Sequence, residues 1–155
     1  MGRTSVKHYP GESNVLVAPQ NGSVVSCGIY GVFEHTGIWV DGNVIELRGN
    51  GLIRGISPSR FLEERSGNTI SVLCNPSFSP LVDDSASLRA TDRLFEFSEY
   101  DVITNNCHKF VWQCVSGQRS PITSFYDLNQ AFYQHFDSQL SWCPIIHDQK
   151  DKYSI

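Results

Sequence analysis

The sequence lacks the features that mark membrane, secreted and nucleic-acid-binding proteins. No apolar run approaches the roughly 20 residues that a bilayer-spanning helix needs, so we expect no integral membrane segment. The first residues, Met-Gly-Arg-Thr-Ser-Val-Lys-His, lack the apolar stretch of a secretory signal. This predicts a cytoplasmic protein, or an effector exported by other machinery. The net charge of −4 argues against a nucleic-acid partner, because such an interface is broadly basic.

Cysteine is present but shows no paired pattern. The five cysteines are an odd number at irregular spacing, which favours free thiols in a reducing compartment over a disulfide framework. Cys143 and His147 are both of metal-ligating type, but two ligands are too few for a zinc site. We therefore expect no metal and no cofactor. The sequence carries no signal for an oligomeric state.

The composition predicts one globular domain over residues 1–155. Apolar residues make up 40% of the chain and charged residues 18%, which is typical of a protein with a substantial core. No internal repeat or linker divides the chain. We expect an N-terminal arm at 1–14, a catalytic core at 15–117, a helical element at 118–142 and a polar tail at 143–155.

Strand signals dominate the first half of the chain. Asp41-Gly42 is a strong signal for a two-residue hairpin, so residues 35–40 and 43–47 are predicted to pair as antiparallel strands. Because side chains alternate along a strand, we expect His35 and Glu46 to be near neighbours on one face of this hairpin. Further strands are predicted at 23–30, 52–56 and 69–73, with a loop at 75–84.

Helix signals dominate the second half. Ser57-Pro58 is typical of a helix start and predicts a first helix that ends near residue 65. Apolar residues among polar ones predict a helix at 85–97, and an apolar stripe at helical spacing predicts another at 124–140. Together these segments predict an α+β fold.

The stretch at 100–110 carries the candidate nucleophile. It reads Tyr-Asp-Val-Ile-Thr-Asn-Asn-Cys-His-Lys-Phe. Asn106 is a favoured N-cap and Gly117 is typical just past a helix end, so a buried helix is predicted at 107–116 with Cys107 in its first turn. The helix N-terminus favours a thiolate, and its free N–H groups can bind an oxyanion. The alternative is that Cys107 is simply a small core residue, because free cysteine is often buried.

A nucleophilic thiol needs a base within hydrogen-bond reach, and the base needs an orienting group. Alone, His35 would more often be an ordinary half-buried histidine, but with Glu46 expected beside it in the hairpin it has the arrangement that a base and its orienting group require. His108 adjoins Cys107, but consecutive helix positions point about 100° apart, so we do not expect His108 to serve.

Two segments resemble the motifs of one enzyme family. Residues 33–47 read Phe-Glu-His-Thr-Gly-Ile-Trp-Val-Asp-Gly-Asn-Val-Ile-Glu-Leu. This stretch resembles the histidine hairpin of the lecithin retinol acyltransferase-like proteins, which include the H-rev-type phospholipid acyltransferases. Tyr100, seven residues before Cys107 in an Asn-Cys-x-x-Phe run, resembles their nucleophile motif, and Arg89-Ala90 also fits their pattern. The resemblance covers residues 20–117.

The resemblance implies a permuted papain-like (NlpC-type) fold, in which an antiparallel sheet packs against the helix that bears the nucleophilic cysteine. It implies Cys107 as nucleophile, His35 as base and Glu46 as the third polar residue. The acyltransferases usually carry His at the third position, whereas Glu46 is more similar to the permuted bacterial hydrolases. We assign Tyr100 and Asn106 to oxyanion binding or positioning.

The expected function is that of a thiol hydrolase or acyltransferase, which acts on an amide, ester or thioester through an acyl-thioenzyme. A peptide-type amide is slightly preferred, because the chain is acidic and shows no hydrophobic C-terminal anchor. A lipid acyl ester is the alternative substrate, favoured by the hairpin motif. A third alternative is a non-catalytic binding module on the same scaffold.

Overall fold

Seven strands of the described chain form one mixed sheet, and four helices complete an α+β fold. The structure is a computed structural model that describes residues 5–29, 33–63, 69–99 and 106–146. The strands are β1 (Val6–His8), β2 (Val24–Ile29), β3 (Phe33–Val40), β4 (Asn43–Leu47), β5 (Ile53–Ile56), β6 (Ser71–Cys74) and β7 (Leu140–Pro144). The helices are α1 (Pro58–Phe61), α2 (Ala86–Asp92), α3 (Cys107–Ser116) and α4 (Phe125–Phe136). Within these ranges no helix is long and apolar enough to cross a membrane.

The strand order is β1-β7-β6-β2-β3-β4-β5, with β1 and β7 parallel and the other neighbours antiparallel. The two terminal strands correct the predicted boundaries. The arm predicted at 1–14 contributes β1, and the polar tail predicted from 143 begins inside β7. Asp137 has a left-handed backbone with φ 49° that ends α4. Leu140 therefore pairs with Val6 instead of continuing the helical stripe.

The predicted hairpin is confirmed. Strands β3 and β4 pair in the register Ile38 to Ile45. The turn residues Asp41 and Gly42 have φ values of 51° and 79°. Two successive positive φ values match the twist of the flanking strands, and glycine adopts such a backbone at no steric cost.

The sheet divides the core into two layers. Along β3, Thr36 and Ile38 point to the face that α3 covers. His35 and Trp39 point to the opposite face, where Phe61 of α1 packs. Near the start of β3, adjacent residues on the two faces of the sheet therefore both lie close to the N-terminus of α3.

Helix α3 has the bounds predicted for the helix of the candidate nucleophile. Asn106 Oδ1 accepts a hydrogen bond from the Lys109 N–H at 2.9 Å, which makes Asn106 the N-cap. Gly117 has φ 73°, and its N–H donates to the Gln113 carbonyl at 2.8 Å. Both ends of α3 are thus fixed by the capping residues that the sequence indicated.

Two other helices differ from the prediction. Helix α2 ends at Asp92, although 85–97 is the predicted span, because Phe95 has φ 71° and donates its N–H to the Ile53 carbonyl at 2.8 Å. Phe95 and Phe97 therefore follow the edge of the sheet and are 79% and 74% exposed instead of entering the core. The helix predicted to end near residue 65 ends at Phe61, with Leu62 as its C-cap, so it is about four residues shorter than predicted.

Candidate active site

The hairpin brings His35 and Glu46 into contact. His35 Nε2 lies 2.7 Å from Glu46 Oε1, and the two residues are 7% and 1% exposed. The β3–β4 pairing reaches Ile38 opposite Ile45, and the alternation of side chains along each strand places His35 and Glu46 on the same face. Their predicted proximity is confirmed, and their catalytic roles stay predictions.

Arg54 extends this pair on the next strand. Arg54 is the direct cross-strand partner of Glu46, and its Nε donates to Glu46 Oε2 at 2.8 Å. Burial by itself raises the pKa of Glu46, but the contacts with His35 and then with Arg54 outweigh burial and hold the pKa below its usual value. Sequence reasoning missed Arg54, although counting outward from the turn between β4 and β5 would have placed it opposite Glu46.

Cys107 lies in the first turn of α3 and is 6% exposed. His108 Nδ1 lies 3.7 Å from its Sγ, and the imidazoles of both His108 and His35 act on the thiol. Burial raises the pKa of the Cys107 thiol, but the electrostatic interaction with His108 and the hydrogen bonds with both rings outweigh it. The pKa is therefore held well below its ordinary value.

The imidazole of His35 responds in the opposite direction. Burial is the largest influence and lowers the pKa of His35, but the contacts with Cys107 and Glu46 together raise it to about 9. Because Nε2 faces Glu46, Nδ1 is the ring nitrogen that remains for the thiol. At neutral pH these contacts favour a thiolate beside an imidazolium.

His108 overturns the expectation that its helix position keeps it away from Cys107. Its Nδ1 lies 3.7 Å from Cys107 Sγ and 2.9 Å from Thr36 Oγ1. Consecutive Cα–Cβ bonds do diverge, but the imidazole is long enough to turn back toward the helix N-terminus. The Thr36 hydroxyl and the ring of Phe125, 5.8 Å away between centroids, hold it there. The thiol consequently contacts two imidazoles, one more than predicted.

Asn106 and Tyr100 were both predicted to bind the oxyanion or to position other groups, and the structure describes only Asn106. Asn106 is 3% exposed; its Oδ1 accepts from Lys109, and its Nδ2 donates to the Ile122 carbonyl at 3.0 Å. Because both ends of the amide have partners inside the protein, Asn106 fits positioning of α3 better than oxyanion binding. Tyr100 lies outside the described residues.

The described chain contains no group of three His, Cys, Asp or Glu side chains that could hold a metal ion. Cys143 is fully buried on β7 and shares a side-chain hydrogen bond with Cys74 on β6. His147, the other candidate ligand, lies outside the described residues. All five cysteines are free thiols.

Comparison with known proteins adds no family assignment. No protein-family model matches the chain, and no curated protein matches it significantly. What the site can do therefore depends on its own geometry. A thiolate beside an imidazolium that a carboxylate orients can attack an acyl carbon and protonate a leaving group.

Proposed function

We propose that this protein is a cysteine-dependent hydrolase or acyltransferase that forms an acyl-thioenzyme at Cys107. The observation that carries the proposal is the chain of side-chain contacts from Cys107 to His35 and from His35 to Glu46. Such a chain supplies an activated nucleophile, a base and an orienting group. We also propose the permuted papain-like (NlpC-type) fold of the acyltransferase-like family, on the basis of the two motifs.

In the proposed reaction the Cys107 thiolate attacks the acyl carbon of an amide, ester or thioester. A C–S bond forms, and the carbonyl electron pair moves onto oxygen. The intermediate then collapses, the bond to the leaving group breaks, and His35 gives that group a proton. In the second half, water or an acceptor amine or alcohol loses a proton to His35 as it attacks the thioester, and the thiolate leaves.

The oxyanion of the intermediate needs N–H or O–H donors. The backbone N–H of Cys107 is one of the first N–H groups of α3, which have no carbonyl partner within the helix. We assign this group and the hydroxyl of Tyr100 to the oxyanion. Removing one such donor typically costs about 3 kcal/mol of transition-state stabilisation.

We favour a peptide-type amide as the substrate, because Glu46 is the variant similar to the permuted bacterial hydrolases. A lipid acyl hydrolase or acyltransferase is the second candidate, and the histidine hairpin at 33–47 favours it. A binding module that has kept the scaffold without catalysis is the third.

Intact-protein mass spectrometry tests the proposal directly. The protein is mixed with a panel of phospholipids and muropeptides, quenched in acid and weighed, and peptide mapping locates any adduct. We expect one acyl adduct on Cys107 that is lost in Cys107→Ala. Cys114→Ala is the matched control, because Cys114 lies buried in the same helix and burial raises its pKa to about 12.

The class of the adduct decides between the substrates, because a peptidyl and a fatty acyl group differ in mass. A compound that binds without adduct or turnover, and binds equally to Cys107→Ala, would contradict the enzyme proposal and support the binding module.

A further inference from the structure

A cavity of about 350 Å³ lies beside the sheet residues that support His108. Ser26 and Ser71 on its floor are direct cross-strand partners, and Ser26 also stands opposite Thr36, the residue that contacts His108. The wall facing these strands comes from the segment between β1 and β2 (Pro10, Gly11, Ser13 and Asn14). Its lining is thus rich in hydroxyl, amide and backbone groups.

Two oxygens of residues lining this cavity are buried without a hydrogen-bond partner among the described residues. They are Ser26 Oγ and Glu34 Oε1. Burial raises the pKa of Glu34, and the Ser26 hydroxyl and the His108 imidazole offset part of this effect. Gly28 stands opposite Glu34 in the β2–β3 register, so that partner has no side chain to cover the carboxylate. A buried carboxylate oxygen without a donor is costly, and a ligand that brings N–H donors would remove this cost.

One residue that lines the cavity, Glu34, is linked to the imidazole that contacts the proposed nucleophile. Glu34 and Thr36 project from the same face of β3, about 7 Å apart along the strand. Glu34 interacts electrostatically with His108, whose Nδ1 lies 3.7 Å from Cys107 Sγ. A ligand anchored at Glu34 would therefore have its remaining atoms close to the thiol.

We propose that this cavity binds a primary ammonium group of the acyl substrate. An ammonium carries three N–H donors and a positive charge, so it can pair with Glu34, donate to Ser26 and still donate to one oxygen of the opposite wall. A neutral alcohol brings a single donor. A carboxylate brings none and is repelled by Glu34.

The inference narrows the substrate to an amino-bearing acyl compound. The position of this compound next to Cys107 rests on the proposed function, whereas the binding of an ammonium group in the cavity does not. A peptide with a free amino group and a phospholipid with an ethanolamine headgroup both carry this chemistry, and the experiment distinguishes them.

Binding is tested first, with n-butylammonium chloride as the probe and n-butanol as its neutral counterpart, by ¹H–¹⁵N NMR titration. We expect n-butylammonium to shift the amides around Ser26 and Glu34 in the natural protein and equally in Cys107→Ser. Glu34→Gln should bind at least tenfold more weakly, and n-butanol should bind at least tenfold more weakly than the amine. If Glu34→Gln fails to fold, Ser26→Ala provides the second variant and should also weaken binding. Equal binding of amine and alcohol, unchanged binding in a folded cavity variant, or shifts elsewhere would overturn the inference.

Turnover is tested second, with pairs in which one member has lost the N–H donors of the ammonium group. A short amino-bearing peptide amide is compared with its N-acetyl form, and an ethanolamine phospholipid with its choline counterpart. We expect kcat/KM at least tenfold higher for the amino-bearing member of one pair, and Glu34→Gln should remove that ratio. A ratio near one in every pair that turns over would overturn the inference. Ammonium binding in the cavity without turnover of any compound would instead contradict the proposed function alone.

Discussion

Arg54 donates a hydrogen bond from its Nε to Oε2 of Glu46 at 2.8 Å, directly across the β4–β5 pair. The other oxygen of Glu46 faces His35 at 2.7 Å. A carboxylate with a cationic or N–H partner on each oxygen stays ionised and keeps one orientation. In the proposed reaction, Arg54 would therefore be a positioning residue that acts on the imidazole through Glu46.

Replacing Arg54 by Gln tests this role. Without the guanidinium, Glu46 keeps a buried oxygen with a weaker partner, so we expect the free energy of unfolding to fall by about 2 kcal/mol. Glu46 should also protonate at higher pH. The acid limb of Cys107 labelling by iodoacetamide should then move to higher pH, because a neutral Glu46 no longer stabilises the imidazolium. Urea unfolding at pH 7 and the pH profile of labelling measure the two effects.

Arg60→Gln is the matched control for Arg54→Gln. Arg60 lies 3.8 Å from Glu63, and their side chains are 59% and 69% exposed. Such surface pairs contribute little to stability, so the control should leave the labelling profile unchanged. If the pH profile of Cys107 labelling is equally unchanged in Arg54→Gln, then Arg54 has only a structural role.

Selective alkylation tests the activated thiol. At pH 6 a thiol with the ordinary pKa of 9.0 is ionised to about one part in a thousand, and burial raises the pKa of Cys74 and Cys114 to about 12. We expect iodoacetamide to label Cys107 about 100-fold faster than either. Peptide mapping of partly labelled protein measures the rates, and equal labelling of the cysteines would exclude an activated thiol.

Loss of His35 and loss of His108 should have similar effects on the alkylation of Cys107 but different effects on turnover. His35→Ala and His108→Ala should each slow Cys107 labelling at pH 6, because both imidazoles stabilise the thiolate. Only His35→Ala should abolish turnover, since only His35 has the carboxylate of Glu46 to orient it for proton transfer. The reverse result, in which His108→Ala abolishes turnover and His35→Ala does not, would assign the base to His108.

The thiol and the imidazole should also leave a signature in the pH dependence of stability. The raised pKa of His35, about 9 against 6.5, contributes stability that is complete below 6.5 and is lost as pH rises through 9. The lowered pKa of Cys107 contributes stability that is complete above 9.0 and is lost as pH falls toward the lowered value. Between 6.5 and 9 the two changes cancel.

Below pH 6.5 only the Cys107 contribution continues to change. We expect the free energy of unfolding to fall as pH falls, by up to about 1.4 kcal/mol per pH unit, because the unfolded chain binds one proton more. Urea unfolding at pH 7, 6 and 5 measures this slope, and Cys107→Ala is the reference for the titrating groups that do not contact the thiol. Parallel slopes for the two proteins would show that Cys107 is an ordinary thiol in the folded state.

Local signals predicted the parts of the site that lie within one turn or one cap. Asp41-Gly42 specified the hairpin, and the hairpin register specified the contact between His35 and Glu46. Asn106 and Gly117 specified both ends of α3. These features depend on residues a few positions apart, where backbone geometry leaves few alternatives.

The missed parts depend on contacts between distant segments or on side-chain length. The order of strands that brings β7 beside β1 depends on residues far apart in the chain. Helix α2 stops at Asp92 because the following residues pair with the edge of β5, which outweighs the apolar pattern. His108 reaches Cys107 because its ring turns back toward the helix N-terminus, whereas the prediction considered only the direction of the Cα–Cβ bond.

A side chain at Gly37, in the middle of β3, should destabilise the fold. A Cβ there would lie 2.5 Å from Val44 Cγ1, 2.9 Å from the Ile45 carbonyl oxygen and 3.5 Å from Phe61, whose ring also packs against His35. We expect Gly37→Ala to lower the free energy of unfolding by about 1–3 kcal/mol, because neither the Ile45 backbone nor the buried Val44 side chain can move without strain. Gly49→Ala is the control, since a Cβ there meets nothing within 4 Å, and it should change stability by less than about 0.5 kcal/mol. Urea unfolding of both variants measures the two changes in the free energy of unfolding. If Gly37→Ala is as stable as Gly49→Ala, then Phe61 and the β3–β4 hairpin are packed more loosely than these distances require.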